Sequence, residues 1–531
     1  MSLSAALLTL TWLLPLILGS AQWFWPKRVL PVASLAALPA VLTALFVPLG
    51  TSVSLDSLLL GTRLLLDETA QTFLLFSGLL WLLASLFAQA YLAHDEGRAR
   101  FFAFFLWAMS GNLGLIVADD MLSFYLWFAL MSFASYGLVI HNNQRAARIY
   151  MILVVIGEVL LFAGLALAAA QTSSLAISDL ASSALDPLTS ALIFFSFGIK
   201  AGAVGLHLWL PLAHPAAPVP ASAVLSGAMI KAGVLGWLRF LRPIDASDWG
   251  LLLIVLGLLT AFYGALVGVS QTNPKAVLAY SSISQMGFII VGVGAWLATV
   301  QSEAALLSVL LYALHHALAK GALFFGVSFA GAGKTVPLAL LLPALALAGL
   351  PFTSGAVAKT ALKATVDQLS LGWKSELELA LSLAAVGTTL LMARFLWLIW
   401  RSPTAHKQPD SVLWSVWGAT LAAVLGLVYL LPLASSSLES ALKSDKWWPA
   451  SWPILLGMGL AALISRSPVR LNLPLVPLGD LLNPIERLIV RFSRRVNELA
   501  GLSGRGQERL GQVLRARAKR FSLAGLGQLE L

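Results

Sequence analysis

The stretch FFSFGIKAGAVGLHLWLPLAHPAAPVPASAVLSGAMIKAGVLGWLR, from Phe194 to Arg239, decides the fold of this chain. It contains two apolar runs, and the segment between them holds Pro211, Pro215, Pro218 and Pro220. Proline removes a backbone donor and bends or ends a helix, so we expect the helix to be interrupted among these prolines. Lys200 and Lys231 lie inside the two runs. Irregular backbone beside a charged group is typical of ion sites in membrane transporters.

Lysines recur in the apolar parts of the sequence. Lys320 and Lys359 also lie at or near the middle of runs long enough to cross a bilayer. A charged side chain there costs roughly 3 to more than 10 kcal/mol. Because desolvation favours the neutral form of a lysine, such a residue can bind and release a proton near neutral pH. The four lysines therefore predict a proton path.

Histidines accompany these lysines. Lys200, His207 and His214 follow one another at intervals of seven residues, which predicts Lys200 and His207 on one helical face. Histidine can relay protons near neutral pH, although a hydrogen-bonded core histidine explains His207 equally well. His316 precedes Lys320 by four residues, and Lys359 precedes Lys363 by four, so each pair shares a helical face. For Lys363, snorkelling to an interface near Asp367 is the preferred alternative.

Composition gives the class of the protein. Of 531 residues, 59% are hydrophobic and only 11% are charged. This composition predicts an all-α polytopic membrane protein, and the apolar runs predict about 14 to 15 transmembrane helices, the last a weak one near residues 451–465. The chain has no cysteine and no glycine-rich nucleotide loop, so we expect no cofactor and no catalytic site. We also expect no metal site, because the adjacent residues His315 and His316 point about 100° apart on a helix.

The basic residues indicate the orientation of the chain. The net charge is +10, but the lysines and arginines outside the spans cluster in short loops and in the tail, which predicts no nucleic-acid partner. The loops after odd-numbered spans are basic, so these loops should be cytoplasmic and the N-terminus should lie outside the cell. Arg239 and Arg242 are the exceptions. In the basic tail, residues 483–499 have the spacing of an amphipathic helix, for an interface or a neighbouring subunit, and a solvated tail is the alternative.

Four motifs in the same order resemble those of a known family. They are the stretch above, NPKAVLAYSSISQMGF (Asn273–Phe288), ALHHALAKGALFF (Ala313–Phe325) and GLPFTSGAVAK (Gly349–Lys359). They are similar to the antiporter-like proton-translocating subunits of respiratory complex I, Mrp-type antiporters and membrane-bound hydrogenases. The resemblance covers roughly residues 101–400 and weakens outside that core.

The resemblance implies a fold and a set of functional residues. It implies two inverted five-helix repeats, 101–242 and 249–400, each with a broken helix. The remaining segments are helices 1–3 in 1–100, further spans in 401–466 and the tail at 467–531. The implied proton path contains Lys200, Lys231, His316, Lys320 and Lys359, and Lys359 exchanges protons with the outer half-channel. The spacing of His207 adds this residue to the predicted proton path. Three further candidates for the path, chosen by their position in the sequence, are His214, His315 and Lys363.

One position departs from the family pattern. In FYLWFALMSFASY (Phe124–Tyr136), Ala129 stands where the family has a glutamate that pairs with the first lysine. Glu158, in the next span, is the candidate to replace it, because an acid–lysine pair reduces the cost of burying both charges. If Glu158 faces another partner, the first half of the path is coupled differently or is inactive.

Two functions follow from these observations. The first is a subunit of a multisubunit energy-converting complex in the inner (cytoplasmic) membrane, which moves protons or sodium ions. Its partners would be other membrane subunits and a soluble or peripheral catalytic module, such as a quinone oxidoreductase, a hydrogenase, Mrp-like subunits or an inorganic-carbon uptake enzyme. The second is a stand-alone cation/proton transporter, and a membrane scaffold with an inactive path is a third reading.

Overall fold

The computed structural model describes residues 2–182, 185–241, 247–299, 301–404 and 409–466, with residues 476, 477, 479 and 491 beyond them. The chain divides into two units, residues 1–476 and 477–531. The structure below is that of the first unit. The amphipathic helix predicted at residues 483–499 lies outside the described residues, apart from Arg491.

The described chain is helical almost throughout. In chain order the helices are α1 (Leu3–Ala21), α2 (Pro26–Phe46), α3 (Glu68–Tyr91), α4 (Arg98–Val117), α5 (Met121–Val139), α6 (Gln144–Thr172), α7 (Pro187–Ala201), α8 (Trp209–Ala216), α9 (Val219–Phe240), α10 (Ser247–Val269), α11 (Pro274–Ala298), α12 (Glu303–Val327), α13 (Thr335–Ala348), α14 (Ser354–Asp367), α15 (Lys374–Trp400), α16 (Ser411–Leu430), α17 (Ser435–Leu442) and α18 (Ser444–Arg466).

The helix content confirms the predicted fold class. Within the described ranges, thirteen helices are long and apolar enough to cross a membrane. The shorter pairs α7–α8 and α13–α14 form two further, broken spans. The all-α membrane fold is therefore confirmed, and the inverted relation between its halves stays a prediction. The weak last span is longer than predicted, because α18 continues through Pro449 and Pro453.

Polar caps explain where many of these helices begin. Several side chains each accept a hydrogen bond from a backbone N–H in the first turn of a helix. They include those of Asp67, Asp120, Asn143, Asp186, Asn273, Ser302 and Thr353. Such caps satisfy donors that the helix itself leaves unpaired. They are most useful where a span begins, because unsatisfied backbone groups are costly in an apolar medium.

Helix α12 lies at the centre of the packing. It contacts α3, α9, α11, α13, α14 and α16. Its residues from Val309 to Gly326 are buried, including two histidines and a lysine. The polar side chains on this helix are therefore surrounded by protein, which positions them for a role inside the bundle.

A short β-hairpin lies in the chain between α2 and α3. Strands β1 (Ser52–Leu55) and β2 (Thr62–Leu65) pair in antiparallel fashion, with Ser52 opposite Leu65. Leu64 and Asp120 extend this pairing to the loops before α5 and α7. Arg239, at the end of α9, forms a bidentate ion pair with Asp67, just before the start of α3. This pair offsets the charge that made Arg239 an exception to the loop pattern, and Arg242 lies outside the described residues.

Candidate functional site

The first broken helix places Lys200 in the last turn of α7. The chain leaves the helix at Gly202 and turns again at Gly205, with φ of 70° and 84°, a region that favours glycine. Trp209 Nε1 donates to the carbonyl of Ile199 at 2.8 Å and satisfies part of the open helix end. The interruption predicted among the prolines is confirmed at Ala217 and Pro218, which separate α8 from α9. The break at Gly202 and Gly205 is an additional one that the prolines did not predict.

Lys200 and Glu158 line the same small cavity. Lys200 Nζ donates to Ser132 Oγ at 3.0 Å and lies 5.4 Å from the centre of the Phe128 ring. The Glu158 carboxylate interacts electrostatically with Lys200 and is within hydrogen-bonding reach of Ser132. The cavity measures about 10 Å³, about the space that one water molecule needs. Ser132 thus lies between the acid and the lysine, and the chain shows no direct ion pair between these two described residues.

His207 does not share a helical face with Lys200, as its spacing had predicted. It lies in the irregular segment between α7 and α8, because α7 ends at Ala201. The ring is fully buried, and its centre is 5.1 Å from that of Tyr263. The regular spacing loses its meaning here because the helical register ends between the two residues.

Lys231 lies directly after a π-helical segment in α9. Residues Leu225–Met229 form this wider turn, in which the amide of Ile230 bonds to the carbonyl of Leu225. The fully buried Lys231 Nζ donates to the carbonyl of Ser226 at 2.7 Å. Such π-bulges are frequent at functional sites because they shift a side chain out of its α-helical register.

Lys320 and His316 lie one turn apart near the middle of α12, as their spacing predicts. Lys320 Nζ donates to the carbonyl of Leu278 on α11 at 2.9 Å. Both ring nitrogens of His316 are buried without a hydrogen-bond partner among the described residues. His316 interacts electrostatically with Lys231 and Lys320. His315 points elsewhere, and its Nδ1 is 2.8 Å from Ser354 Oγ.

In the second broken helix, which consists of α13 and α14, Lys359 on α14 lies against the C-terminal end of α13. Helix α13 ends at Gly349, with φ of 95°, and Thr353 caps the start of α14. Lys359 Nζ donates to the carbonyl of Ala348 at 2.5 Å and lies 5.3 Å from the Phe288 ring. A Cβ on Gly349 would lie 2.7 Å from Lys359 Cδ. Glycine is therefore required there both for its backbone conformation and for the approach of the lysine.

Lys363 lies one turn beyond Lys359 and lines the same open cavity. This cavity has a volume of about 220 Å³. Lys363 Nζ donates to Ser382 Oγ at 3.0 Å. The structure therefore brings Lys363 into the same cavity as Lys359, and Lys363 also interacts electrostatically with Asp367, the residue near which snorkelling was expected.

Lys275 and Ser132 are candidate residues that reasoning from sequence missed. Lys275 Nζ donates to the carbonyls of Pro215 and Ala217, at the end of α8. The fully buried His214 lies within electrostatic reach of Lys275 and Lys320, and its ring stacks on Phe324. In the sequence Lys275 had only the signal of a loop charge, and Ser132 had none.

The polar groups form two clusters among the described residues. The first contains Glu158, Ser132 and Lys200. In the second, electrostatic interactions connect His214, Lys275, Lys231, His316, His315, Lys320, Lys359 and Lys363. No hydrogen bond joins Lys200 to Lys231 in the described chain. Between the clusters, Gly233 packs directly against the backbone of Phe197 and Ala201.

Comparison with known proteins decides the family. Residues 118–391 match the family described as NADH:quinone oxidoreductase/Mrp antiporter, transmembrane region. The chain belongs to this family. The match covers all the lysines and histidines of both clusters, and it confirms the membership that the four motifs predict.

Individual relatives belong to several kinds of complex. Hydrogenase-4 component B of Escherichia coli (strain K12) is 34% identical over 51% of this chain and 43% of its own length. NADH-quinone oxidoreductase subunit N of Desulforudis audaxviator (strain MP104C) is 32% identical over 56% of this chain and 65% of its own length. This antiporter-like chain thus spans less than two thirds of either relative. In fold it resembles a chain of the Mrp complex from Dietzia sp. DQ12-45-1b, with a TM-score of 0.80 and 21% identity. The superposition covers 98% of this chain and 63% of the Dietzia chain.

Proposed function

We propose that this chain is a proton-translocating membrane subunit of a multisubunit energy-converting complex. The observation that carries the proposal is the series of buried or half-buried lysines beside two broken helices. Each ammonium donates a hydrogen bond to one oxygen atom from a neighbouring turn or helix. A lysine held in this way can lose its proton and keep a position from which it can be reprotonated.

Repulsion between the lysines provides a means of moving the charge. Lys231 interacts electrostatically with Lys320, and Lys359 with Lys363. Two neighbouring ammonium groups in a medium of low dielectric constant repel each other, so a proton that arrives on one favours release from the next. The histidines between them, His315 and His316, can carry a proton across the intervening distance.

The two broken helices support a repeated architecture. We assign the first repeat to residues 101–242 and the second to 249–400, with helices 1–3 before them and the spans of 401–466 after them. The breaks at Gly202 and Gly349 each follow a short apolar helix and each lie close to a path lysine. Discontinuous helices in corresponding positions of two halves are typical of transporters built from inverted repeats.

The partners follow from the kinds of relative. Two of the relatives are described as a hydrogenase component and as a quinone oxidoreductase subunit. We infer that this chain works with other membrane subunits and with a catalytic module that supplies the driving reaction. In this proposal it lies in the inner (cytoplasmic) membrane with its N-terminus outside, and the moving ion is the proton, with sodium as the alternative.

Substitution of the central lysines tests the transport function. In inverted membrane vesicles that contain the native assembly, K320A and K359A should each reduce driven proton uptake by about 100-fold, because a positioned proton-transfer group contributes at least this much. The variants should remain in the membrane, since loss of a buried charge need not destabilise the bundle. K443A, at an exposed lysine, serves as the matched control. Normal uptake in both path variants would refute the proposed function.

Affinity purification of the chain from its native membrane, with mass spectrometry of the bound proteins, tests the subunit assignment. Co-purification of a redox module or of Mrp-like subunits supports it. A chain that purifies alone and moves protons in liposomes would instead establish the stand-alone transporter.

A further inference from the structure

An open cavity begins at Lys359 and is closed on one side by the last two helices of the described chain. It lies between α14, α15, α17 and α18, and its volume is about 220 Å³. Ser440 and Lys446 contribute to the wall from α17 and α18. A cavity of this size with charged walls can hold several water molecules. The C-terminal helices therefore help to shape the surroundings of a path lysine.

Two hydrogen bonds lie further along the cavity wall from Lys359. Lys363 lies one turn further along α14, and its Nζ donates to Ser382 Oγ at 3.0 Å. Ser382 in turn donates to the backbone carbonyl of Glu378 at 2.9 Å. Lys363, Ser382 and Glu378 thus line the same cavity as Lys359.

Two carboxyl groups lie on the cavity wall. Asp367 is the last residue of α14, and Glu378 lies in the second turn of α15. Both residues line the cavity that begins at Lys359, and they interact electrostatically with each other. Two neighbouring carboxylates repel each other, so a proton bound by one of them relieves this repulsion.

We propose that Asp367 and Glu378 are the pair through which the path exchanges protons with the medium on this side of the membrane. This inference rests on the proposed function and extends it beyond Lys359. In the transfer step an N–H bond of the Lys359 ammonium breaks, cavity water carries the proton, and an O–H bond forms on the carboxyl pair. The net charge of the pair changes from −2 to −1, and no electron is transferred.

The surrounding charges suit this role. Lys363 and Lys374 act electrostatically on Glu378, and Lys446 acts on Lys363 from α18. These ammonium groups compensate the negative charge that remains after the pair has released its proton. The cavity thus holds both a proton acceptor and the cations that make its ionised form stable.

Proton transport by acid-pair variants tests the inference. In the native assembly, E378Q and D367N should each slow proton movement by about tenfold, less than loss of a path lysine because the second carboxyl group remains. The dependence of the rate on pH should change only for the medium on the cavity side. E378D should restore most of the rate. E376Q, at an exposed glutamate two residues away on the same helix, should have no effect.

The results separate this inference from the proposed function. If K359A stops transport while E378Q and D367N transport normally with an unchanged pH profile, the acid pair has no role and the path itself stands. If E378Q transports protons slowly but the pH dependence of its rate on the cavity side is unchanged, the pair has only a structural role and the inference fails. Normal transport by both K320A and K359A would instead refute the proposed function itself.

Access to the cavity can be measured separately. The chain has no cysteine, so a single introduced thiol is the only target in it for a thiol reagent. A450C, on the cavity wall, should react with a membrane-impermeant thiol reagent from one side of the membrane only. A201C, fully buried in α7, should remain unmodified. Absence of reaction at A450C from either side would show that the cavity is closed, which would overturn the exchange role.

Discussion

At the scale of single residues, the acid that acts electrostatically on the first lysine lies on α6, whereas the family resemblance implies an acid on α5. Ser132, one turn beyond Ala129 on α5, accepts a hydrogen bond from Lys200 and lines the small cavity beside it. Glu158 reaches the same cavity from α6. A carboxylate at this position can act on the lysine through the serine hydroxyl, which can both donate and accept a hydrogen bond. We therefore expect Glu158 to take the place of the family acid that is absent at Ala129.

This arrangement makes Glu158 a test of the first cluster. E158Q should reduce proton uptake by about tenfold, because Lys200 loses the only acid near it among the described residues. Placing an acid at the family position, in A129E/E158Q, should restore uptake if both positions serve the same lysine. The rates are to be measured in vesicles that contain the native assembly. Full activity of E158Q would show that the first cluster does not carry protons.

At the scale of helices, a seam of glycines joins α10 to α11. Gly250, Gly257 and Gly264 recur at intervals of seven residues on α10, opposite Gly287 and Gly294 on α11. A Cβ on Gly257 would lie 2.7 Å from the carbonyl oxygen of Gly287. Backbones that approach this closely are typical of small-residue interfaces in membranes. The pair forms a tightly packed support for α12 and α15, which contact it.

The seam predicts a difference between two glycine substitutions. G257A should lower the free energy of unfolding by about 1–3 kcal/mol, because the added methyl group meets backbone atoms that cannot move aside. G426A on α16 is the control, since nothing lies within 4 Å of a Cβ there. Thermal unfolding in detergent measures both. Equal melting temperatures for the two variants would contradict the close packing.

Sequence patterns predicted the helices better than the interruptions within them. Apolar runs of about 20 residues identified the spans, because a bilayer demands that length. The prolines correctly predicted the interruption at Ala217 and Pro218, but not the break after Lys200, because that break depends on the φ angles of Gly202 and Gly205. The π segment before Lys231 could not be predicted, because it arises from packing between helices and has no sequence signal of its own.

The site was predicted in part for similar reasons. Lysines in apolar sequence stand out because their burial is costly, so the sequence alone makes Lys200, Lys231, Lys320 and Lys359 candidates. Ser132 and the Asp367–Glu378 pair were missed because serine is common in such helices and acids near helix ends usually face solvent. Only the fold shows that Ser132 contacts a lysine and that the two acids line one cavity with Lys359.

At the scale of the molecule, an ion pair ties the first helices to the first broken region. Asp67 caps α3, and Arg239 ends the helix that carries Lys231. The arginine side chain is 9% exposed and the aspartate 34% exposed. The pair holds together two segments that are 172 residues apart in the chain.

Removal of this pair should destabilise the protein. R239A should lower the free energy of unfolding by about 2–3 kcal/mol, less than for a fully buried pair because part of Asp67 contacts solvent. R63A, which removes the more exposed contact with Asp119, should change stability by about 1 kcal/mol or less. Denaturation in detergent, followed by tryptophan fluorescence, compares the two. A larger effect of R63A would be inconsistent with the role assigned to Arg239.

The open cavity at Lys359 also affects how the membrane voltage acts on the protein. Water in such a cavity brings the electrical potential of the adjacent medium inward to the lysine, so the voltage falls over the remaining, thinner layer of protein. An elementary charge that crosses the whole drop gains or loses about 2.3 kcal/mol per 100 mV. Most of this electrical work is then done between Lys359 and the opposite surface, and only little of it in the cavity. Proton flow should therefore depend on voltage chiefly through the steps on the far side of Lys359.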